Sequence, residues 1–511
     1  MKEIKFLSVL LLALTFGVVS VKALTVTEDL KLEEDLNEAI IVSKGKTVTI
    51  DLNGYNVTVT AANVDAISNY GTLTIKGSGV ITAKGAAVVN YPEGVATLDN
   101  GEYLSTGWYT IKNMGTMTIN NMKFGNNVNN GSSLIANGYY GNPANDRGQT
   151  AADGVMLTIN GGTFENKNNS CNVVKNDDYG KLVINGGTFI AGSDDETNAN
   201  PVIQNWHIAT INDGTFTSGN GWVLANGYCH AVSDVGEMTI KGGTFTGSKG
   251  LFANNGGATV GKGVLTIKGG TFNGDATLST VYETVIEGGI FDDNTVVPNE
   301  DSDYEAMEVM FGPNEGKTVI VKEEDLELYV VDGPVSKEDI EKEDLILFEK
   351  AVEEKKYEIA SYYEIDMVMA TPDDDVVGMV SETEEPVEVT IGIPRNLPEV
   401  KEGFSRKYYV IRVHEGEVTV IDDVTVNDDG TLTFKSDKFS KYALAYEDVE
   451  NEKDETTTTP IENEKTTTEV KEEKVVEAPK TFDGIITYII IAVLAAALIT
   501  YTSLYVKKRL S

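Results

Sequence analysis

From residue 73 to residue 291 one short pattern of apolar and polar positions keeps returning. It reads "LTINGGTF" at 157–164, "LVINGGTF" at 182–189, "ATINDGTF" at 209–216, "MTIKGGTF" at 238–245 and "LTIKGGTF" at 265–272. "MTINNMKF" at 117–124 and "TVIEGGIF" at 284–291 are worn copies, and "LTIKGSGVI" at 73–81 is an earlier relative. In each copy two apolar residues stand two apart, with a polar residue between them. That alternation puts both on one face of a strand. The Gly-Gly step allows a tight bend or a positive φ without a Cβ clash. A second short strand then returns the Phe to the same interior. Period-two alternation interrupted by Gly in every unit argues against an amphipathic helix. The closing Phe residues (124, 164, 189, 216, 245, 272 and 291) are unevenly spaced, as expected for stacked coils with loops of different length. One coil cannot bury its own Leu, Ile and Phe; a stack buries them as ladders.

The pattern changes after Glu300. Gly and Asn thin out, and most of the chain's excess negative charge falls between 301 and 478. Residues 301–332 read as a β-rich linker with "GKTVIV" as a strand. Residues 336–356, "SKEDIEKEDLILFEKAVEEKK", read as helix or mixed structure. Alternating runs separated by Pro and Asp-Gly turns then predict an antiparallel β-sandwich over 333–447. Residues 448–478, rich in Thr, Glu and Lys, have too few apolar residues for a core and read as a disordered stalk.

The two ends predict location. Lys2 and Lys5 precede the apolar run Phe6–Ser20, and "VKA" follows, so residues 1–23 read as a secretory signal cut after Ala23. Ile485–Val506 carries no charge and is long enough for a bilayer, which takes about 20 residues. Lys507, Lys508 and Arg509 follow it, which places the rest of the chain outside the cell.

Three resemblances build on these residues. The repeats, with the opening coils "GKTVTIDLNGYNVTVT" and "AISNYGTLTIKGSGVI", resemble the right-handed parallel β-helix of the pectate-lyase-like superfamily over residues 24–300. "VTIGIP…YYVIRVHEGEVTVIDD…LTFKSDKFSKYALAY" resembles a β-sandwich module found beside the anchors of Gram-positive surface proteins. "APKTFDG" with the apolar stretch and basic tail after it (479–511) resembles a cell-wall sorting signal. Pro479 and Thr481 match the Pro-x-Thr core, whereas Ala478 and Phe482 replace the usual Leu and Gly. A sortase-processed wall anchor and a plain one-pass membrane anchor both remain open. The expected fold is thus all-β, a parallel β-helix followed by a small sandwich, displayed at the cell surface through its C-terminal anchor.

Composition narrows the chemistry. The 511 residues include 41 Lys or Arg and 79 Asp or Glu, a formal net charge of −38. That acidity argues against nucleic-acid partners, which need a basic surface. Two Cys and three His argue against a disulfide scaffold or a dedicated transition-metal centre. Cys171 and Cys229 fall two repeats apart, roughly 9–10 Å along a stack, too far for a disulfide, so two buried free thiols are expected.

The lyases of the resembled superfamily use acidic residues to hold calcium and an Arg or Lys as base, and its hydrolases use clustered Asp with a His and an Arg-x-Lys motif. No Gly-His-Gly or Arg-x-Lys stands here. Calcium is the one cofactor candidate, and no metal ligand set is evident. The weak catalytic candidates are Arg147, the single Arg of the β-helix region, and the pair Asp177 and Asp178. Asp194/Asp195 and Asp292/Asp293 are similar acidic pairs, and all of them read first as solvated turns. Arg147 lies in the segment 125–155, the largest insertion between repeats. His207 and His230 read as packed or groove-lining. Trp206, Trp222, His207 and Tyr228 are binding candidates, with Trp108, Tyr139 and Tyr140 as further aromatics. Large aromatics either fill corners of a stack or offer faces to sugar rings. The functional expectation is an adhesin or a glycan- or partner-binding surface protein, with polysaccharides and host surface ligands as partner classes. The alternatives are a wall-anchored polysaccharide lyase or glycoside hydrolase, and a purely structural spacer.

Overall fold

The computed structural model describes residues 22–451 except 125–132, 141–144, 167–171, 193–199, 220, 228–234, 249, 255–261, 276–282 and 293–294. The chain forms two compact units, one running to Glu308 and including Gly316–Glu323, the other comprising Val309–Glu315 and the chain from Glu324.

The first unit is a parallel β-solenoid. Each coil contributes one strand to each of three sheets, which hold 10, 11 and 12 strands. Tyr109–Asn113, Thr116–Ile119 and Lys123–Phe124 are one such coil. In the second sheet Leu157, Leu182, Ala209, Met238 and Leu265 lie in register, as do Ile159, Ile184, Ile211, Ile240 and Ile267. In the third sheet the motif's Phe residues align, and Phe164, Phe189, Phe216, Phe245, Phe272 and Phe291 stack face to face with centroids 4.6–4.9 Å apart. The spacing follows from the strand repeat, so register and ring stacking reinforce each other. The second Gly of the motif is the residue in the left-handed region. At Gly243 (φ +104) a Cβ would stand 2.8 Å from the Gly214 carbonyl oxygen, so both conformation and space require glycine.

A second ladder had no counterpart in the sequence expectations. The corner between the first and second sheets is filled by Asn69, Asn90, Asn113, Asn137, Asn176, Asn205, Asn226 and Asn254, all buried. Each side-chain Nδ2 donates to the next Oδ1 at 2.7–2.9 Å. The same Nδ2 also donates to corner carbonyls, as Asn113 does to Gly115 and Met156 at 3.0 Å. Buried polar groups of the bend are thereby satisfied coil after coil. At the far end Thr318–Lys322 pairs antiparallel with Gly289–Phe291 and with Tyr304–Glu308, covering the edge of the third sheet.

The second unit is antiparallel. A six-stranded sheet is built around Glu358–Ala370, Ser440–Glu450 and Phe404–His414, and its edge strand Glu327–Val335 runs across residue 332. A three-stranded sheet holds Glu382–Gly392, Thr431–Lys438 and Val424–Val426. Tyr363, Ile365 and Met367 of the larger sheet share a core with Val389, Ile391 and Phe434 of the smaller. On the alternate face Tyr362 and Ile411 pack with Phe348, which comes from the helix Lys342–Lys355. The segment expected to be helical or mixed is therefore a helix preceded by a short 3-10 turn at Lys337–Asp339.

Two stability measurements follow. Asn137→Ala removes the acceptor for Asn113 and the donor to Asn176, and should cost about 2–3 kcal/mol. Asn185→Ala, in an exposed Asn row on the outer surface, should change stability by less than about 0.5 kcal/mol. Equal losses in equilibrium unfolding would remove the special role of the buried ladder. In the second unit burial, aided by Glu364 and opposed by Lys441, pushes the Asp366 carboxyl up to about 6. The folded state then binds more protons than the unfolded state at pH values between the ordinary carboxylate range and about 6. Stability of this unit should fall as pH rises through that window, and Asp366→Asn should flatten the profile in pH-dependent melting.

Candidate functional site

The outer face of the first sheet carries chemistry that the repeats elsewhere lack. Strand alternation puts the residue before each ladder Asn on the outside. Val89, Lys112, Ala136, Lys175, Gln204 and Ala225 therefore form one outward row, held in register. Two of these are lysines, Lys112 and Lys175.

Part of the segment 125–155 proves to be regular structure. Ser133–Asn137 is a strand of the first sheet, paired with Tyr109–Asn113 and Asn172–Asn176. The insert proper follows it and lies over the outward row. Tyr139 and Val155 of the insert join Ala86, Val89 and Met114 in a small buried apolar cluster. Asn145–Asp146 pairs antiparallel with Gln149–Thr150. The two residues between them, Arg147 (φ 51) and Gly148 (φ 73), both have positive φ, the signature of a tight hairpin turn. Arg147 is an unusual occupant of such a turn. Its Nη1 reaches Asp65 Oδ2 at 2.6 Å, an ion pair that ties the hairpin tip to a distant coil.

Beneath the hairpin is a desolvated charge cluster. Lys112 Nζ lies 2.6 Å from Asp146 Oδ2 and 3.5 Å from Asp177 Oδ2. Lys175 Nζ lies 3.0 Å from Asp177 Oδ1 and sits over the rings of Trp206 at 3.8 Å and Tyr140 at 4.7 Å. A lysine so placed gains from two ring quadrupoles as well as from its carboxylate. Burial, with the charges of Asp146 and Asp177, drives the Tyr109 phenol far above its ordinary range, so it stays protonated.

Asp177 and Asp178 are buried, which corrects the expectation of solvated turn residues. The ion pairs of Asp177 with Lys112 and Lys175 explain why it is kept there despite the cost of burying charge. The structure thus brings Arg147 and Asp177 into one neighbourhood, linked through Lys112 and Lys175, which sequence reasoning missed. The available signal was a Lys directly between an apolar residue and an Asn in "IKN" and "VKN".

Beside this cluster opens a groove of about 690 Å³, lined among others by Trp108, Tyr109, Tyr140, Arg147, Lys175 and Gln204. Asn63, Asn172 and Asn200 add amide groups to its wall. Trp108 is 67% exposed and Tyr140 50%, so both present ring faces to solvent. Trp206 is buried behind the groove and supports Lys175 rather than offering a face. Trp222 stands away from the groove, against Gly250, where a Cβ would be 2.3 Å from its ring. His207 is also elsewhere. Burial and then Lys181 push its imidazole below the ordinary value, so it is neutral at pH 7.

Tyr228, His230, Cys171, Cys229, Asp194, Asp195 and Asp293 lie outside the described residues, as do Pro479, Thr481, most of the expected signal and the C-terminal apolar stretch. Ala23 pairs with Ala39 in the first strand of the solenoid, and Asp292 is an exposed partner of Lys317. Among the described residues no helix is long and apolar enough to cross a membrane, and no group of three or more His, Cys, Asp or Glu could hold a metal ion.

Fold and site together define a parallel β-solenoid with one decorated lateral groove. No family model, curated protein or solved structure matches the chain.

Lys175→Ala should destabilise the solenoid by about 3 kcal/mol, because it removes the cation 3.0 Å from the fully buried Asp177 carboxylate. Lys175→Arg should retain most of the stability. Unfolding followed by Trp fluorescence reads both variants.

Proposed function

We propose that the chain is a surface-anchored glycan-binding protein whose ligand lies in the groove beside the insert. The observation that carries this reading is the pair of exposed rings, Trp108 and Tyr140, on a groove whose wall also offers amide and charged groups. Sugar rings offer C–H faces to aromatic rings and hydroxyls to Asn and Gln amides. Of the groove's cations, Arg147 and Lys175 are matched by Asp65 and Asp177, Lys84 adds one exposed ammonium, and the whole chain carries a net charge of −38. A neutral or N-acetylated glycan fits this balance better than a polyanion does. The apolar N-terminal run, the uncharged stretch Ile485–Val506 and the sorting-signal-like "APKT" support export and anchoring in the cell envelope.

A polysaccharide lyase or hydrolase is the second reading, favoured by the presence of Arg147 and Lys175 on the groove wall. Ion pairing works against it, since Arg147 and Lys175 are each engaged by a carboxylate, Asp65 and Asp177, instead of being directed at a substrate.

The test is a panel of neutral and acidic polysaccharides with and without calcium, scoring both binding and release of new chain ends. Trp108→Ala should weaken binding at least tenfold, about 1.4 kcal/mol, without altering the melting temperature. Release of products would replace binding with catalysis. Unchanged affinity in Trp108→Ala would remove the groove as the site.

A further inference from the structure

We propose that Lys112 and Asp146 condense into an intramolecular amide that staples the hairpin of the insert to the first sheet. Lys112 is fully buried, Asp177 is fully buried, and the Asp146 side chain is 12% exposed. The contact between Lys112 Nζ and Asp146 Oδ2 is 2.6 Å, yet neither atom makes a well-aligned hydrogen bond. Both Asp177 oxygens are in the same condition. An ion pair that is close, dry and poorly aligned bears the cost of desolvating both charges without the hydrogen bonds that normally offset it. A neutral amide in the same place removes both charges.

The chemistry balances within the cluster. One ammonium proton passes from Lys112 to the Asp146 carboxylate, which leaves an amine beside a carboxylic acid. Nζ adds to Cγ of Asp146. Asp177, 3.5 Å from Nζ, takes a second Nζ proton and returns it to the departing hydroxyl, which leaves as water. The bond formed is Nζ–Cγ and the bond broken is Cγ–O, with no oxidant or reductant required. Lys175, 3.0 Å from Asp177, holds that carboxylate beside Lys112 Nζ. The fold holds the reacting groups together, which replaces a bimolecular encounter by an intramolecular one. The link would lock the hairpin that carries Arg147 over the sheet, so that the wall of the groove persists under force or heat.

The test is protease digestion of the full-length chain under denaturing conditions, followed by mass spectrometry. The expected result is a branched peptide joining the Lys112 and Asp146 segments. Its mass is lower by one water than the sum of the two linear peptides, and tryptic cleavage after Lys112 is absent. Linear peptides ending at Lys112 in the natural chain would overturn the proposal without reference to any variant. A branch from Lys112 to the Asp177 segment would overturn the pairing. Asp146→Ala should yield linear peptides alone. Asp177→Asn keeps both reacting groups and should also stay unlinked while retaining the β-sheet circular dichroism of the natural chain. A folded Asp177→Asn chain that still carries the branch would overturn the role given to Asp177.

Discussion

A column of asparagine amides holds the solenoid's corner between the first and second sheets. Coils turn there from the first sheet into the second, over two residues between Asn113 and Thr116 and over the whole insert between Asn137 and Met156, and the turn leaves backbone carbonyls inside. Asn is the side chain that fits, because one amide can accept from the neighbouring amide and donate to the next amide and to carbonyls of the turn. Asn113, for example, donates to Asn137, Gly115 and Met156 while accepting from Asn90. The column runs through the first-sheet strands from Asn69 to Asn254, whereas the first two strands carry Val26 and Val42 at that position. The phenylalanine stack on the third sheet then fixes the same register by packing instead of by hydrogen bonding.

That register is what makes the lateral site. Once each Asn points into the corner, the residue before it points out, and the alternation puts Lys112 and Lys175 in one row with Ala136 between them. The insert lies over this face, with Tyr139 packed on Val89 and Met114, Asp146 on Lys112 and Arg147 reaching Asp65. Two lysines on an apolar face would be unstable alone. They persist because Asp146 and Asp177 come to meet them, and because Trp206 and Tyr140 stack on Lys175. The groove is the space left beside this assembly, so its aromatic faces and charged wall share one origin in the ladder.

The second unit solves a different problem by familiar means. Alternation along Glu358–Ala370 sends Tyr363, Ile365 and Met367 to the core shared with the smaller sheet and Tyr362 to the helix side. Its numerous acidic residues sit mainly on the surface, with Asp366 partly buried and Asp375 fully buried against Asn314.

The sequence by itself determined the repeat, its strand character, the inward Leu, Ile and Phe, and the need for Gly in the motif. These depend on period-two alternation and local backbone freedom, which neighbouring residues encode. The helix at Lys342–Lys355 was legible only as an ambiguous stretch, because its apolar residues give a weak stripe. The Asn ladder was present in the sequence as "SNYG", "VNYPEG", "KNMG" and "KNDDYG", but such strings equally describe ordinary surface turns. The tertiary structure alone decided that those amides are buried. It alone brought Asp65, Asp146 and Asp177 to Arg147, Lys112 and Lys175, and separated the buried Trp206 from the exposed Trp108. Those outcomes depend on which coil stacks on which and on where an insert folds back. Such long-range contacts have no period, so no local pattern announces them.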